Sequence, residues 1–92
     1  MEIRKEIVVK NKSGLHARPA AIFVQMANKY DSDITIIKDD QEVNGKSIMG
    51  ILMLAAEKGS RITIVADGED AEKAAEELSE ILLHDIEPDA AA

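Results

Sequence analysis

The chain contains no cysteine and only two aromatic residues, Phe23 and Tyr30, among its 92 residues. Without cysteine there is no disulfide framework, no thiolate nucleophile and no cysteine-ligated zinc site, and a cytoplasmic location is expected. No run of about 18 uncharged apolar residues is present, and the N-terminus lacks the pattern of an export signal, so membrane insertion and export are not expected. At this length the sequence predicts one small domain with an aliphatic core.

Positive charge is also scarce, with 11 Lys and Arg against 18 Asp and Glu and a formal net charge of −7. A chain with this balance is not suited to neutralising phosphates along a nucleic acid, so no nucleic-acid partner is expected. The acids are unevenly distributed, because residues 67–92 hold ten Asp and Glu but one Lys, a net charge of −9, which leaves +2 for residues 1–66. The acidity therefore belongs to the C-terminal part of the chain.

Periodicity along the chain predicts four strands and three helices. The strands are predicted from alternation and β-branched residues at Glu2–Lys10, Asp33–Lys38, Gln41–Val43 and Arg61–Ala66. The helices are predicted at Ala17–Lys29, at Ile48–Ala55 with its end marked by Lys58-Gly59, and along the apolar stripe from Ala71 to Leu82. The order β-α-β-β-α-β-α predicts a two-layer α/β sandwich with an antiparallel sheet. Residues 1–84 form the predicted domain, and residues 85–92 are predicted to be a frayed tail.

The two histidines lie in different surroundings. His84 follows the last apolar stripe, where a cationic side chain suits a helix C-terminus, and a structural role is expected. His16 lies two residues before Arg18 at the start of a predicted helix, with Pro19 in the first turn, where a missing N–H is tolerated. The N–H groups of such a helix start bind anions, and a guanidinium donates two parallel hydrogen bonds to phosphate. Local spacing alone fits a helix-capping histidine and a phosphate-accepting histidine equally well.

Other catalytic classes receive little support from the residues. One well-placed histidine without a second histidine or a cysteine gives no metal ligand set. Ser13 and Ser47 lack the sequence context and the third member of a hydrolytic triad, and the glycines form no P-loop or dinucleotide motif. We therefore expect no metal and no cofactor, and a chain of this size is not expected to be a self-sufficient enzyme.

Three segments resemble a known family. Residues 14–20 (GLHARPA) resemble the active-site signature of HPr, the histidine-containing phosphocarrier of the bacterial phosphoenolpyruvate-dependent sugar phosphotransferase system. Residues 25–31 (QMANKYD) and 44–50 (NGKSIMG) resemble further segments of that family. The resemblance extends from Ile3 to about Leu83 and implies an open-faced β-sandwich, with four antiparallel strands covered on one face by three helices.

The resemblance also implies a role for each residue of the signature. His16 is implied to accept a phosphoryl group on Nδ1 from phosphohistidine on enzyme I and to pass it to a histidine of an enzyme IIA domain. Arg18 is implied to steady the phosphate, and Ala17 to supply a backbone donor. The chain is then expected to act as a monomeric phosphocarrier in sugar uptake.

Ser47 has two interpretations. As a helix N-cap, its hydroxyl would accept a hydrogen bond from an otherwise unpaired N–H. Residues 46–49 (KSIM) also resemble the regulatory site that an ATP-dependent HPr kinase/phosphorylase phosphorylates in this family. A serine phosphate has a far poorer leaving group than phosphoimidazole, so it would be a stable signal, and its charge would repel an acidic partner.

The predicted second helix carries a nearly continuous apolar run, more than one buried face absorbs. Ile51 and Leu54 are expected to lie in the core. The resemblance implies that other residues of this helix dock on partner proteins, where methionine adapts to several surfaces. The predicted docking residues are Leu15, Ala21, Ile48, Met49 and Leu52.

Three alternatives to a sugar-uptake carrier remain. A nitrogen-type branch of the family places a similar carrier in a regulatory phosphorelay. Another branch lacks the active-site histidine and acts only as a serine-phosphorylated corepressor, and the presence of His16 argues against it. From a different class, the chain would be a plain interaction module that binds through its apolar helix.

Overall fold

The structure, a computed structural model, describes residues 1–12 and 14–84. Its elements are β1 (Glu2–Val8), α1 (Ala17–Ala27), β2 (Asp33–Lys38), β3 (Gln41–Asn44), α2 (Ile48–Leu54), β4 (Arg61–Asp67) and α3 (Ala71–Leu83). The strands form one antiparallel sheet in the order β1-β4-β2-β3, and the three helices cover one face of it. The predicted open-faced α/β sandwich is confirmed. The predicted tail at residues 85–92 lies outside the described residues.

The core lies between the sheet and the helices and is aliphatic apart from one aromatic ring. Strand alternation places Ile36 beside Ile64 in the register of β2 with β4, and both are fully buried. Phe23 of α1 is fully buried in the same core cluster. Burial of each such side chain contributes about 1.5–3 kcal/mol. In the described part of the chain, no helix has the length and apolar character needed to cross a membrane.

Three elements end earlier than predicted. α1 ends at Ala27, and Asn28 is its C-cap residue. The Asn28 N–H and the Asn28 Nδ2 both donate to the Val24 carbonyl, at 3.0 and 2.9 Å, and these bonds close the last turn of the helix. α2 ends at Leu54 and not near Lys58-Gly59, because Ala55 adopts the left-handed conformation (φ 53°, ψ 41°). β1 stops at Val8, two residues earlier than expected.

A lysine from the sheet stabilises the end of α2. Lys38 Nζ donates to the carbonyl oxygens of Leu54 at 3.5 Å and Ala55 at 3.4 Å. A cation at this position complements the negative end of the helix dipole. The sequence pattern predicts Lys58 in that role, because Lys58 is a near neighbour along the chain and a contact across the fold leaves no local pattern.

The segment before α1 is fixed to elements on both sides. The N–H groups of Lys10 and Asn11 donate to the Leu82 carbonyl at the end of α3, at 2.8 and 3.3 Å. The Leu15 N–H donates to the Ala56 carbonyl at 2.8 Å, just beyond α2. Gly14 has φ +62°, and a Cβ there would lie 2.5 Å from the Ala56 oxygen, so only glycine fits. The chain therefore enters α1 along a path defined by the ends of the two other helices.

Candidate functional site

His16 is the N-cap residue of α1, and only its backbone takes part in capping. Its backbone is extended (φ −89°, ψ −170°), and its carbonyl accepts a hydrogen bond from the Ala20 N–H at 2.8 Å. The imidazole makes no capping hydrogen bond, and the side chain is exposed. Of the two interpretations drawn from the sequence, a capping side chain is therefore excluded, and the ring is accessible at the start of a helix.

The first turn of α1 provides donors for an anion. The N–H groups of Ala17 and Arg18 are at helix positions that have no intrahelical acceptor, and Pro19 has no N–H to offer. The turn contains no acidic residue that would compete for them. The Arg18 side chain is exposed, and within the described residues no ion pair or hydrogen bond holds its guanidinium. These groups lie within two residues of the His16 ring along the chain.

Ser47 is the N-cap residue of α2, and here the side chain does the capping. Its Oγ accepts a hydrogen bond from the Gly50 N–H at 3.1 Å, which confirms the N-cap interpretation. The residue is half-buried. A Cβ on Gly50 would lie 3.2 Å from Val43 Cβ, so the start of α2 packs tightly against β3.

Lys46, the residue before this cap, is held by structural contacts. Its Nζ donates to the Tyr30 carbonyl at 2.7 Å, and its backbone N–H donates to Asn44 Oδ1 at 2.8 Å. The Lys46 carbonyl accepts a hydrogen bond from Asn28 Nδ2 at 3.3 Å. The lysine therefore ties the start of α2 to the segment that follows α1.

Four large apolar side chains of α2 are exposed, and we call them the α2 surface. Ile51 and Leu54 are 0% and 1% exposed, as expected for the core face of this helix. The α2 surface consists of Ile48 (38% exposed), Met49 (65%), Leu52 (39%) and Met53 (68%). Met53 is not among the predicted docking residues, although its position four residues after Met49 places both on one side of a helix. α1 and α2 pack against each other, and the Leu15 N–H next to His16 donates to the Ala56 carbonyl, so the start of α1 lies next to the end of α2.

Leu15 requires a correction, and Ala21 is less exposed than the α2 surface. Leu15 is 2% exposed and belongs to the hydrophobic core. It precedes the N-cap of α1, and Ala20, four positions into the helix, is also buried, which is the arrangement of a hydrophobic staple. Leu15 therefore fixes the entry into α1 and is not part of a docking surface. Ala21 is half-buried.

His84 has the structural surroundings expected for it. It is the C-cap residue of α3, and its Nε2 lies 3.5 Å from Glu80 Oε1, one helical turn earlier. Both side chains are largely exposed. The two histidines therefore differ as the sequence suggested, since one pairs with an acid and the other lies beside unpaired helix N–H groups.

Comparison with known proteins gives consistent results along nearly the whole chain. The family described as "PTS HPr component phosphorylation site" matches residues 3–83. The HPr-like protein Crh of Bacillus subtilis is 43% identical over 84 residues, which cover 91% of this chain and 99% of Crh. The crystal structure of HPr from Bacillus anthracis has a TM-score of 0.86 and 52% identity, with 88% of this chain and 96% of that chain covered. A crystal structure of Crh from Bacillus subtilis, described as a swapped dimer, has a TM-score of 0.70 and 45% identity, with 87% and 92% covered.

An open-faced α/β sandwich with an accessible histidine at a helix start defines a class of small phosphorylation-site proteins. The chain belongs to the HPr family of the phosphotransferase system. Its relatives include both HPr phosphocarriers and Crh, so the membership leaves the particular role to be argued from the residues.

Proposed function

We propose that the protein is a phosphocarrier of phosphoenolpyruvate-dependent sugar uptake, in which His16 receives a phosphoryl group from enzyme I and delivers it to an enzyme IIA domain. The observation that carries the proposal is the exposed His16 imidazole, which makes no capping contact at a helix start lined by N–H donors and free of acids. Membership in the HPr family supports the same conclusion.

The chemistry needs little more than this arrangement. Nδ1 of His16 attacks the phosphorus of phosphohistidine on the donor, and the new P–N bond forms as the bond to the donor imidazole breaks. The second transfer repeats the exchange with an acceptor histidine. Because the transition state is loose, positioning and charge provide most of the catalysis. The N–H groups of Ala17 and Arg18, together with the Arg18 guanidinium, are suited to the negative oxygens.

The α2 surface is the proposed docking site for both partners. It presents four exposed apolar side chains, two of them methionines, on the helix whose end adjoins the start of α1. Flexible thioether side chains adapt to differently shaped partners, as a carrier that meets enzyme I and an enzyme IIA domain in turn requires. Half-buried Ala21 on α1 is proposed to lie at the margin of the same contact.

Ser47 is the proposed regulatory site of an HPr kinase/phosphorylase that uses ATP. The residue begins the helix that carries the α2 surface. A phosphate on Oγ would add about −1.5 to −2 charges next to Ile48 and Met49. Such a charge is favourable at a helix start but unfavourable inside an apolar contact with an acidic partner, so phosphorylation would weaken docking.

A second candidate function is favoured by the similarity to Crh. That resemblance suggests a corepressor that acts through phosphorylated Ser47 and does not carry phosphate on a histidine. His16 favours the carrier, because such a corepressor has no use for an accessible imidazole at the anion-binding end of α1. A nitrogen-type relay would use the same His16 chemistry and differ in which enzyme IIA domain accepts the phosphate.

We propose a monomer as the working form of the carrier. Crh has been crystallised as a swapped dimer, whereas β1 here pairs with β4 of its own chain over seven residues. Light scattering over a range of protein concentrations measures the mass directly. A dimer mass at micromolar concentration would contradict the monomer.

Labelling by enzyme I tests the carrier function. The protein is incubated with phosphoenolpyruvate, Mg²⁺ and enzyme I, and protein-bound phosphate is measured after acid and after base. The wild-type protein and the matched control His84→Ala are expected to gain one acid-labile, base-stable phosphate, and His16→Ala none. If wild type gains no phosphate, or if His16→Ala gains as much as wild type, the protein is not a carrier of this kind.

A further inference from the structure

Asn11 is a buried residue whose side-chain amide is only half used. The residue is 1% exposed, and its Nδ2 donates to the Gly14 carbonyl at 2.9 Å. Its Oδ1 is the one buried side-chain polar atom, within residues 1–12 and 14–84, that has no hydrogen-bond partner. A buried acceptor without a partner destabilises the folded state, because the atom has lost its hydrogen bonds to water.

The other buried polar side chains differ in this respect. Ser79 Oγ donates to the Ala75 carbonyl at 2.6 Å, and Ser32 Oγ is paired with the Asp70 carboxylate. An apolar side chain of similar volume at position 11 would avoid the unpaired oxygen and would suit a place next to the core. The amide at position 11 therefore leaves one oxygen unpaired, and its Nδ2 hydrogen bond to the Gly14 carbonyl is the contact that an apolar residue cannot make.

That contact lies two residues before His16. Asn11 holds Gly14 from both sides, since the Gly14 N–H donates to the Asn11 carbonyl at 3.2 Å and the Gly14 carbonyl accepts from Nδ2. Gly14 itself is in the left-handed region, with φ +62°. Asn11 is anchored in turn by its N–H to the Leu82 carbonyl at 3.3 Å. The Asn11 side-chain amide therefore acts together with the Leu15 contacts to set the direction in which the chain enters His16.

We propose that Asn11 is a positioning residue for phosphoryl transfer, which holds Gly14 so that the His16 imidazole is presented in line with the phosphorus. The inference rests on the proposed carrier function of His16. Transfer between two imidazoles requires alignment, and a displacement of about 1 Å costs up to about 100-fold in rate. The docking side chains of α2 do not depend on the Asn11 amide, so its loss is expected to affect the transfer step and not the binding of the partner.

The test compares Asn11→Leu with wild type in single-turnover transfer from phosphorylated enzyme I. We expect the saturating rate constant to fall about 10-fold and the half-saturating concentration to stay within about twofold. The melting temperature is expected to stay close to that of wild type, because the variant removes the unpaired Oδ1 but also leaves the Gly14 carbonyl without its Nδ2 donor. Ser79→Ala, which removes a buried hydroxyl whose hydrogen bond lies within α3, is the matched control and is expected to transfer at the wild-type rate.

Each outcome separates the inference from the proposed function. If wild type accepts no phosphate from enzyme I, both fail. If wild type is phosphorylated and Asn11→Leu transfers at the wild-type saturating rate, Asn11 is a structural residue only and the carrier function stands. A rise in the half-saturating concentration with an unchanged saturating rate constant also overturns the inference, because it indicates that Asn11 acts in docking. If Asn11→Leu does not fold, Asn11→Ala is judged by the same two constants.

Discussion

The starts of α1 and α2 are built alike but use their N-cap residues differently. At α1 the His16 backbone begins the helix while its side chain caps nothing and lies exposed. At α2 the Ser47 hydroxyl accepts the Gly50 N–H at 3.1 Å and is half-buried. The first helix start therefore keeps its N–H groups and its imidazole available, whereas the second uses its N-cap side chain for structure.

This difference suits the two kinds of phosphate chemistry proposed for the protein. A carrier histidine must exchange its phosphoryl group rapidly, which requires a side chain with no structural task. A regulatory serine changes state rarely, so it can cap its helix when it is not phosphorylated. The two helices are neighbours, because the Leu15 N–H, next to His16, is bonded to the Ala56 carbonyl just beyond the end of α2.

The largest effect is expected from placing a permanent charge at the second cap. Ser47→Asp keeps a capping oxygen but sets a carboxylate beside the α2 surface. We expect the half-saturating concentration for transfer from enzyme I to rise by at least about 10-fold, because like charges brought together at an interface cost several kcal/mol. Single-turnover transfer at increasing protein concentration measures it.

Ser47→Asn is the matched control for that substitution, since it caps without a charge. It is expected to transfer within about twofold of wild type, because neutral N-caps are energetically similar. An equal rise in the half-saturating concentration for Ser47→Asp and Ser47→Asn would show that the cap geometry, and not the charge, determines how well enzyme I binds.

A smaller effect is expected from the apolar side chains that follow Ser47. Met49→Gln keeps the length of the side chain but adds a polar amide to the α2 surface. The half-saturating concentration is expected to rise about 5- to 10-fold, which is typical of an interface residue that contributes a moderate share of the binding free energy. Val8→Thr, at an exposed apolar position on β1, is the control and is expected to have no effect. Equal transfer by Met49→Gln and wild type would exclude Met49 from the docking site.

Local patterns are sufficient to predict the elements and the first helix start. Alternation and β-branched residues identify all four strands, and residues 14–20 (GLHARPA), by their family resemblance, are enough to single out His16 as the proposed phosphate acceptor. The cap at Ser47 is also predictable, because capping depends on residues three positions apart. Structural features that depend only on residues a few positions apart can therefore be predicted from the sequence.

Features that depend on distant contacts are missed or misplaced. Ala55, and not Gly59, takes the left-handed conformation that ends α2, and its carbonyl is bound by Lys38 from the end of β2. The docking role predicted for Leu15 is wrong because exposure of a single leucine cannot be read from its neighbours in sequence. The amide of Asn11 has no sequence signal, because its importance follows from burial and from Leu82 at the far end of the chain.

The two caps also predict different effects on stability. Ser47→Ala removes the hydrogen bond to Gly50 and is expected to lower the free energy of unfolding by about 1 kcal/mol. His16→Ala is expected to leave it unchanged within about 0.5 kcal/mol, because the imidazole caps nothing. Urea denaturation of the two variants and wild type measures both. If His16→Ala lowers the free energy of unfolding as much as Ser47→Ala does, the imidazole contributes to the stability of the fold.

The start of α3 extends the comparison to a third use of an N-cap. Asp70 makes no side-chain capping hydrogen bond to its own helix. Its Oδ2 accepts the Asp31 N–H at 2.9 Å, and its Oδ1 accepts the Ser32 N–H at 3.0 Å and the Ser32 hydroxyl. A Cβ on Gly68 would collide with Ser32 Oγ, so the two segments are in close contact. The third cap residue therefore joins α3 to the segment before β2.

The smallest expected effect is confined to acidic pH and concerns this third cap. The Ser32 hydroxyl, followed by the Asp31 and Ser32 N–H groups, lowers the pKa of Asp70 below its ordinary value of 3.8. A lowered pKa in the folded state stabilises the protein above the unfolded pKa, and this contribution is lost as the pH falls below about 4 through the folded value.

Asp70→Asn lacks the titrating group, so its melting temperature is expected to lie below that of wild type at pH 7 and to approach it at pH 3. Glu69→Gln, at an exposed neighbouring acid, is the control and should follow the wild-type profile. A constant difference between Asp70→Asn and wild type from pH 7 to pH 3 would mean that the charge of Asp70 contributes nothing to the contact between the two segments.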